Sequence, residues 1–226
     1  MKPIFIVLLL LAGCKTSSYF LTPNEMQRAG VTLVYTDGRE AKGLLTVSHE
    51  NYNSIHSTYD KYIDFIPEGK DSSIRVSMLD LAGYWHESDF YALRKVDITM
   101  DGNEMFIFLK RLTDSNSRIQ LYELHESGRG NQTGEEKYSY YLSFSSTPPL
   151  VAINTRSVRF LPDFDRKMSL IVSDCPKLAN KILSRENGYN IPMASFNRKI
   201  HPEVMMKIIR EYNQCLDTTV KVNGTR

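Results

Sequence analysis

Three histidine–glutamate pairs, His49-Glu50, His86-Glu87 and His125-Glu126, are the side chains best suited by type to metal or acid–base chemistry. A zinc-protease helix places a second histidine four residues after the first, so that both nitrogens face one ion. None of the three pairs has that partner, and all fall in strand or turn contexts. Their plain reading is polar residues at strand ends; a metal or hydrolytic site would have to be assembled from separate strands. His86 is the best placed, because Tyr84, Trp85, His86 and Tyr91 form an aromatic-rich stretch able to contact a ligand. Asp97, Asp101, Asn103 and Glu104 carry oxygens suited to calcium, but lack the spacing and closing glutamate of an EF-hand loop. The chain has no Gly-x-Ser-x-Gly elbow, no phosphate-binding Walker loop and no glycine-rich dinucleotide turn. The expectation is therefore no catalytic residue, no metal, no cofactor and no nucleotide, with a hydrolase centred on His86 as an alternative.

The first fourteen residues concern location. Lys2 is followed by an apolar run from Ile4 to Leu11, which ends in Leu-Ala-Gly-Cys14. A positive start, an apolar stretch of roughly 7–15 residues and small residues at the cut make a secretory signal. The run is far shorter than the ~20 residues that span a bilayer. A cysteine directly after Leu-Ala-Gly resembles the bacterial lipobox, so Cys14 is expected to become the lipidated first residue of the mature protein. This divides the chain into a signal peptide (residues 1–13), a tether (14–30), a β-rich domain (31–160), a helical subdomain (161–217) and a flexible tail (218–226).

The elements follow from periodicity. Val31 to Thr36 alternates, Asp37-Gly38 turns and Arg39 to Val47 returns, a hairpin whose two central residues would both take positive φ. Alternating runs recur at Tyr62–Ile66, Ile74–Met78, Phe90–Ile98, Met105–Leu109, Arg118–Leu124, Lys137–Phe144 and Leu150–Ile153. Thirteen tyrosines against one tryptophan suit half-buried sheet. The fold class is α+β: predominantly antiparallel sheet, as a sandwich, barrel or roll, followed by helices. Met168, Val172, Cys175, Leu178 and Ile182 recur at helical spacing, with Pro176 splitting that segment into two pieces and Asp174 as the expected cap. A last helix from Pro202 carries Met205, Ile208, Ile209 and Tyr212 on one face. With Cys14 lipidated, Cys175 and Cys215 are the remaining thiols, an even number in an oxidising compartment, and are expected to form a disulfide rather than pack reduced. Lys and Arg total 28 against 26 Asp and Glu, with no basic concentration, so nucleic acid is not an expected partner.

Phe108-Leu109-Lys110-Arg111-Leu112, Leu121-Tyr122, Asp174-Cys175-Pro176 and Tyr212-Asn213-Gln214-Cys215 occur in that order. This resembles a group of uncharacterised exported lipoproteins of Bacteroidota, from about Val31 to Cys215. None of its motifs is catalytic, so the resemblance implies compartment and fold and no activity. Surface export in that class uses acidic residues behind the cysteine. Here Lys15-Thr16-Ser17 stands instead, which favours the periplasmic face of the outer membrane. Asp217-Thr218-Thr219 resembles the class's O-glycosylation sequence, with Thr218 as acceptor just past the last helix. The expected role is a non-catalytic binding or assembly module, with a glycan- or small-ligand-binding lipoprotein as an alternative. Its partners would be the membrane, through Cys14, and an envelope protein or a glycan.

Overall fold

The computed structural model describes residues 27–46, 62–97, 104–126, 137–144, 151–155, 160–191 and 200–223. The strands among them are β1 (Gln27–Tyr35), β2 (Glu40–Thr46), β3 (Tyr62–Pro67), β4 (Ile74–Ser77), β5 (Leu81–His86), β6 (Asp89–Asp97), β7 (Glu104–Arg111), β8 (Ile119–Glu126), β9 (Lys137–Phe144) and β10 (Val151–Asn154). Three helices come last: α1 (Phe164–Ile171), α2 (Pro176–Leu183) and α3 (Ile200–Asn223). The class is α+β, strands first and helices at the end.

The strands form one sheet in the order β10-β9-β8-β7-β6-β5-β1-β2-β3-β4, and β10 returns to pair with β6. That return closes β6 to β10 into a five-stranded, barrel-like ring. Its seam is parallel, with Val151 opposite Lys95 and Ala152 opposite Val96; every other pairing is antiparallel. One edge of β6 is thereby shared. Its first residues, Asp89 to Ala92, pair with β5, and Lys95 and Val96 pair with β10. A single strand serves both the ring and the remaining sheet.

Alternation assigns each strand two faces. Inside the ring lie Ala92, Val96, Ile107, Leu109, Tyr122, Leu124, Tyr141 and Ala152. On the outer face of β6 and β7, Leu93 and Phe108 join Val31, Leu33, Leu45, Ile63, Phe65, Leu81 and Tyr84 in a second core. On the outer face of β8 and β9, Ile119, Leu121, Leu142 and Phe144 pack against the helices, with Met168, Val172, Leu178, Ile182, Met205, Ile208 and Ile209. Isolated helices below ~12 residues are marginal in water, so α1 and α2, each of 8 residues, depend on this packing. Each fully buried Leu, Ile or Met contributes roughly 1.5–3 kcal/mol to it. The helical end shares its core with the barrel wall.

Several local expectations are revised. The β1–β2 turn is not a two-residue one. Gly38 donates to the Tyr35 carbonyl at 3.0 Å, and the Tyr35 N–H donates to Arg39 at 2.9 Å. Only the glycine, at φ 87°, takes positive φ in that turn, the pattern of a type I turn followed by a glycine bulge. The first strand opens at Gln27, four residues before Val31. Cys175, not Asp174, occupies the N-cap of α2, with Pro176 in the first turn, where its missing N–H costs nothing. Asp174 instead accepts from Arg118 Nη1 at 3.1 Å and Tyr212 Oη at 3.0 Å. Cys175 and Cys215 are joined by a disulfide, their Cα atoms 6.2 Å apart. Helix α3 continues to Asn223, so Thr218 lies within a helix rather than beyond one. Residues 1–13, Cys14 and His49-Glu50 lie outside the described residues. Among those described, no helix is long and apolar enough to cross a membrane.

Candidate functional site at the mouth of the barrel

The aromatic-rich stretch is a tight hairpin. His86 pairs with Asp89 across the two-residue turn Glu87-Ser88, and Glu87 sits at φ 55°. Sheet alternation then separates the predicted ligand residues. Tyr84, His86 and Tyr91 share one face, and Trp85 takes the other. Tyr84 is only 1% exposed, stacked on Tyr91 at 4.9 Å and edge-on to Phe108 at 5.0 Å. It is a core residue, and the four do not converge on one ligand. Gly83 lets the two strands approach this closely, since a Cβ there would meet the Tyr91 carbonyl oxygen at 2.2 Å. His86 is half-buried at the strand end, and among the described residues no hydrogen bond or ion pair joins it to a carboxylate or a second histidine. His125-Glu126 closes β8. No group of three metal-ligating side chains occurs among the described residues. Of the calcium candidates, Asp101 and Asn103 fall outside them.

The face that carries Trp85 is the informative one. Trp85 pairs with Phe90, Arg111 with Tyr122, Tyr122 with Tyr141, and Tyr141 with Asn154. Because Tyr91 pairs with Lys110, Phe90 falls next to Arg111, and the row continues unbroken across six strands. Since Ala152 pairs with Val96, the row winds around the ring, from Phe90 at the start of β6 to Asn154 beside the far end of that strand. Trp85, Phe90 and Arg111 therefore stand at one mouth, with Tyr122 and Tyr141 deeper inside. Trp85 is 37% exposed and lies against Phe90, ring centroids 4.9 Å apart. The Arg111 guanidinium stands 4.6 Å over Phe90 and 6.0 Å from Trp85. Arg94, four residues beyond Phe90 on the same face of β6, meets Tyr122 inside the ring, donating from Nε and Nη2 to the phenol oxygen at 2.9 and 2.6 Å. Its Nη1 donates to the Leu93 carbonyl at 2.6 Å.

Electrostatics at this mouth are those of two cations in a half-dry place. Burial pushes the Arg111 pKa down, the positive charge of Arg94 adds to that, and Tyr122 and Asp114 oppose it. Burial raises the Tyr122 phenol, with Arg94 working against the rise, so it is a neutral hydroxyl at physiological pH. The β7–β8 connection, which continues directly from Arg111, is itself tied down. There Gln120 Nε2 donates to the carbonyls of Asp114, Ser115 and Ser117 at 3.0, 3.2 and 2.7 Å.

Two other polar features are structural. Lys181 Nζ donates to Glu211 Oε1 at 2.5 Å, and the Tyr189 hydroxyl donates to the other oxygen, pinning α2 and the turn after it to α3. Hydrogen bonding to Glu211 raises the pKa of both Lys181 and Tyr189, which favours their protonated forms. A groove of about 660 Å³ runs along α3 from Pro202 to Gln214, but a single helix lines it, with mixed charge and no aromatic side chain.

From the sequence, Arg111 and Tyr122 stand out only as parts of the resembling motifs, with no role attached, and Arg94 does not stand out at all. The signal is there in the alternation: Ala92-x-Arg94-x-Val96 and Ile107-x-Leu109-x-Arg111 each place a guanidinium on an otherwise apolar stripe. No protein-family model, curated protein or solved structure matches this chain.

Proposed function

We propose that the protein is a lipid-anchored component of the cell envelope, one of the exported Bacteroidota lipoproteins it resembles. It is held through Cys14 to the periplasmic side of the outer membrane and acts as a non-catalytic binding module. Its ligand is an envelope polymer, taken at the mouth of the barrel. The observation that carries this reading is the row formed by exposed Trp85, half-buried Phe90 and the Arg111 guanidinium above them. An exposed indole offers flat apolar surface to a sugar ring, and the adjacent guanidinium offers hydrogen-bond donors. Among the described residues the site has donors and platforms, but no nucleophile–base pair. That composition suits holding rather than turnover.

Co-sedimentation with the insoluble polysaccharide fraction of the cell envelope tests the reading. Wild-type protein should pellet with the polymer, and Trp85→Ser should lose about tenfold in affinity, or ~1.4 kcal/mol. Equal retention of wild type and Trp85→Ser would remove the barrel mouth as the binding site.

A further inference from the structure

Resting on that binding role, we infer that the barrel mouth is an oxyanion site and that the polymer it takes is an acidic saccharide, bearing carboxylate or sulfate groups. Arg94 and Arg111 lie on the same sheet face and both approach Tyr122, Arg94 through its hydrogen bonds to the phenol and Arg111 as its cross-strand neighbour; both are half-buried. Like charges held together away from bulk water repel, and proteins normally place a carboxylate between or beside them. Elsewhere in this chain that is what happens: Lys110 meets Asp89 at 2.7 Å, and Lys181 meets Glu211. At the mouth, among the described residues, neither arginine has an ion-pair partner. Asp114, whose charge reaches Arg111, is exposed in the following loop and forms no salt bridge with it.

The donors are arranged for such a ligand. Arg94 spends Nε, Nη1 and Nη2 bonds on Tyr122 and Leu93, which fix its guanidinium while leaving it further N–H groups. Arg111 touches ring faces only, so its N–H groups have no acceptor among the described residues. A planar fork of free donors matches the two oxygens of a carboxylate or two oxygens of a sulfate. Beside it, Trp85 supplies the platform. A sugar ring lying on the indole would put a charged ring substituent at Arg111. The same geometry gives a neutral sugar only the stack.

Isothermal titration calorimetry on the full mature domain tests this with three probes of similar length: oligogalacturonate for carboxylate, a dextran sulfate oligosaccharide for sulfate, and neutral dextran. The expected result is at least tenfold tighter binding of one anionic probe than of dextran, with affinity falling as salt is raised. Arg111→Gln should weaken that probe at least tenfold, and Arg111→Lys should recover part of the loss, since it keeps charge without the fork. Arg210→Gln, on α3, should bind as wild type does. Arg94→Gln should act like Arg111→Gln where its melting curve remains native. Equal affinity for neutral and anionic probes would overturn the acidic-saccharide inference while leaving the binding role standing. Heat from no probe, with Trp85-dependent co-sedimentation intact, would also overturn the inference alone. Failure of both measurements removes both readings.

Discussion

The hydroxyl of Tyr212 donates to Asp174 Oδ2 at 3.0 Å, and these two residues flank the two halves of the disulfide. Asp174 precedes Cys175, and Tyr212 lies one helical turn before Cys215. Arg118 from the β7–β8 connection reaches the same oxygen at 3.1 Å, and Asn213 reaches Ser117 at 3.0 Å. Covalent and polar ties therefore converge where α2, α3 and the barrel meet.

The disulfide should matter to stability. Its half-cystines are 40 residues apart, and the chain-entropy estimate for closing such a loop is roughly 4 kcal/mol. Cys175→Ser is expected to lower the melting temperature markedly. Thiol labelling of denatured, unreduced wild type should find neither cysteine free. Two labelled thiols would contradict the account.

A substitution at the hairpin should have the opposite sign. Glu87 holds φ at 55°, a left-handed conformation that costs a side-chain-bearing residue roughly 1–2 kcal/mol, and its side chain is exposed. Glu87→Gly is expected to stabilise by up to ~1 kcal/mol after the added unfolded-state entropy is subtracted. Chemical denaturation gives the number, and a destabilised variant would mean that the Glu87 side chain does something the turn geometry does not require.

Alkali should loosen the fold through its tyrosines. Tyr140 is pushed up to about 12, first by burial and then by the Glu123 carboxylate opposite it. Tyr122, Tyr189 and Tyr212 are raised as well. A tyrosine in the unfolded chain titrates near ~10. The stability these groups contribute is fully present below that value and is lost as pH climbs through their folded-state pKa values. Melting temperature should fall between about pH 10 and 12, less steeply in Tyr140→Phe than in wild type. Identical slopes would separate Tyr140 from the effect.

Much of the framework was legible because alternation and helical spacing are local signals. Val31 and Leu33 mark a buried strand face, and Met168, Val172, Leu178 and Ile182 mark the helical stripe. The β5–β6 hairpin was missed because Glu87-Ser88 is not turn chemistry that a sequence advertises. Its left-handed glutamate is held by the pairing on either side rather than by its own preference. The same oversight grouped Tyr84 with Trp85, although neighbours on a strand face opposite ways. Ring closure by Val151 and Ala152 against β6 is a long-range pairing with no local mark. Arg94, Arg111 and Tyr122 meet through the β6–β7 and β7–β8 registers, which no single strand displays.

The anchor makes a separate prediction. One acyl chain binds membranes reversibly and stable attachment takes two or an equivalent second signal, a requirement that a diacylglyceryl Cys14 would meet. Cells fed an alkyne fatty acid should label the wild type and not Cys14→Ala. An unlabelled wild type would remove the lipid anchor.

The central claim, that a polymer is held against the barrel mouth, is tested most directly by the chain's single tryptophan, which belongs to the proposed site. Trp85 is 37% exposed in the free protein, so acrylamide should quench its emission readily. With envelope polysaccharide added to saturation, the quenching constant should fall at least twofold, and it should do so much less in Arg111→Gln. A quenching constant unchanged by polymer that demonstrably co-sediments with the protein would contradict the account, because binding would then lie elsewhere.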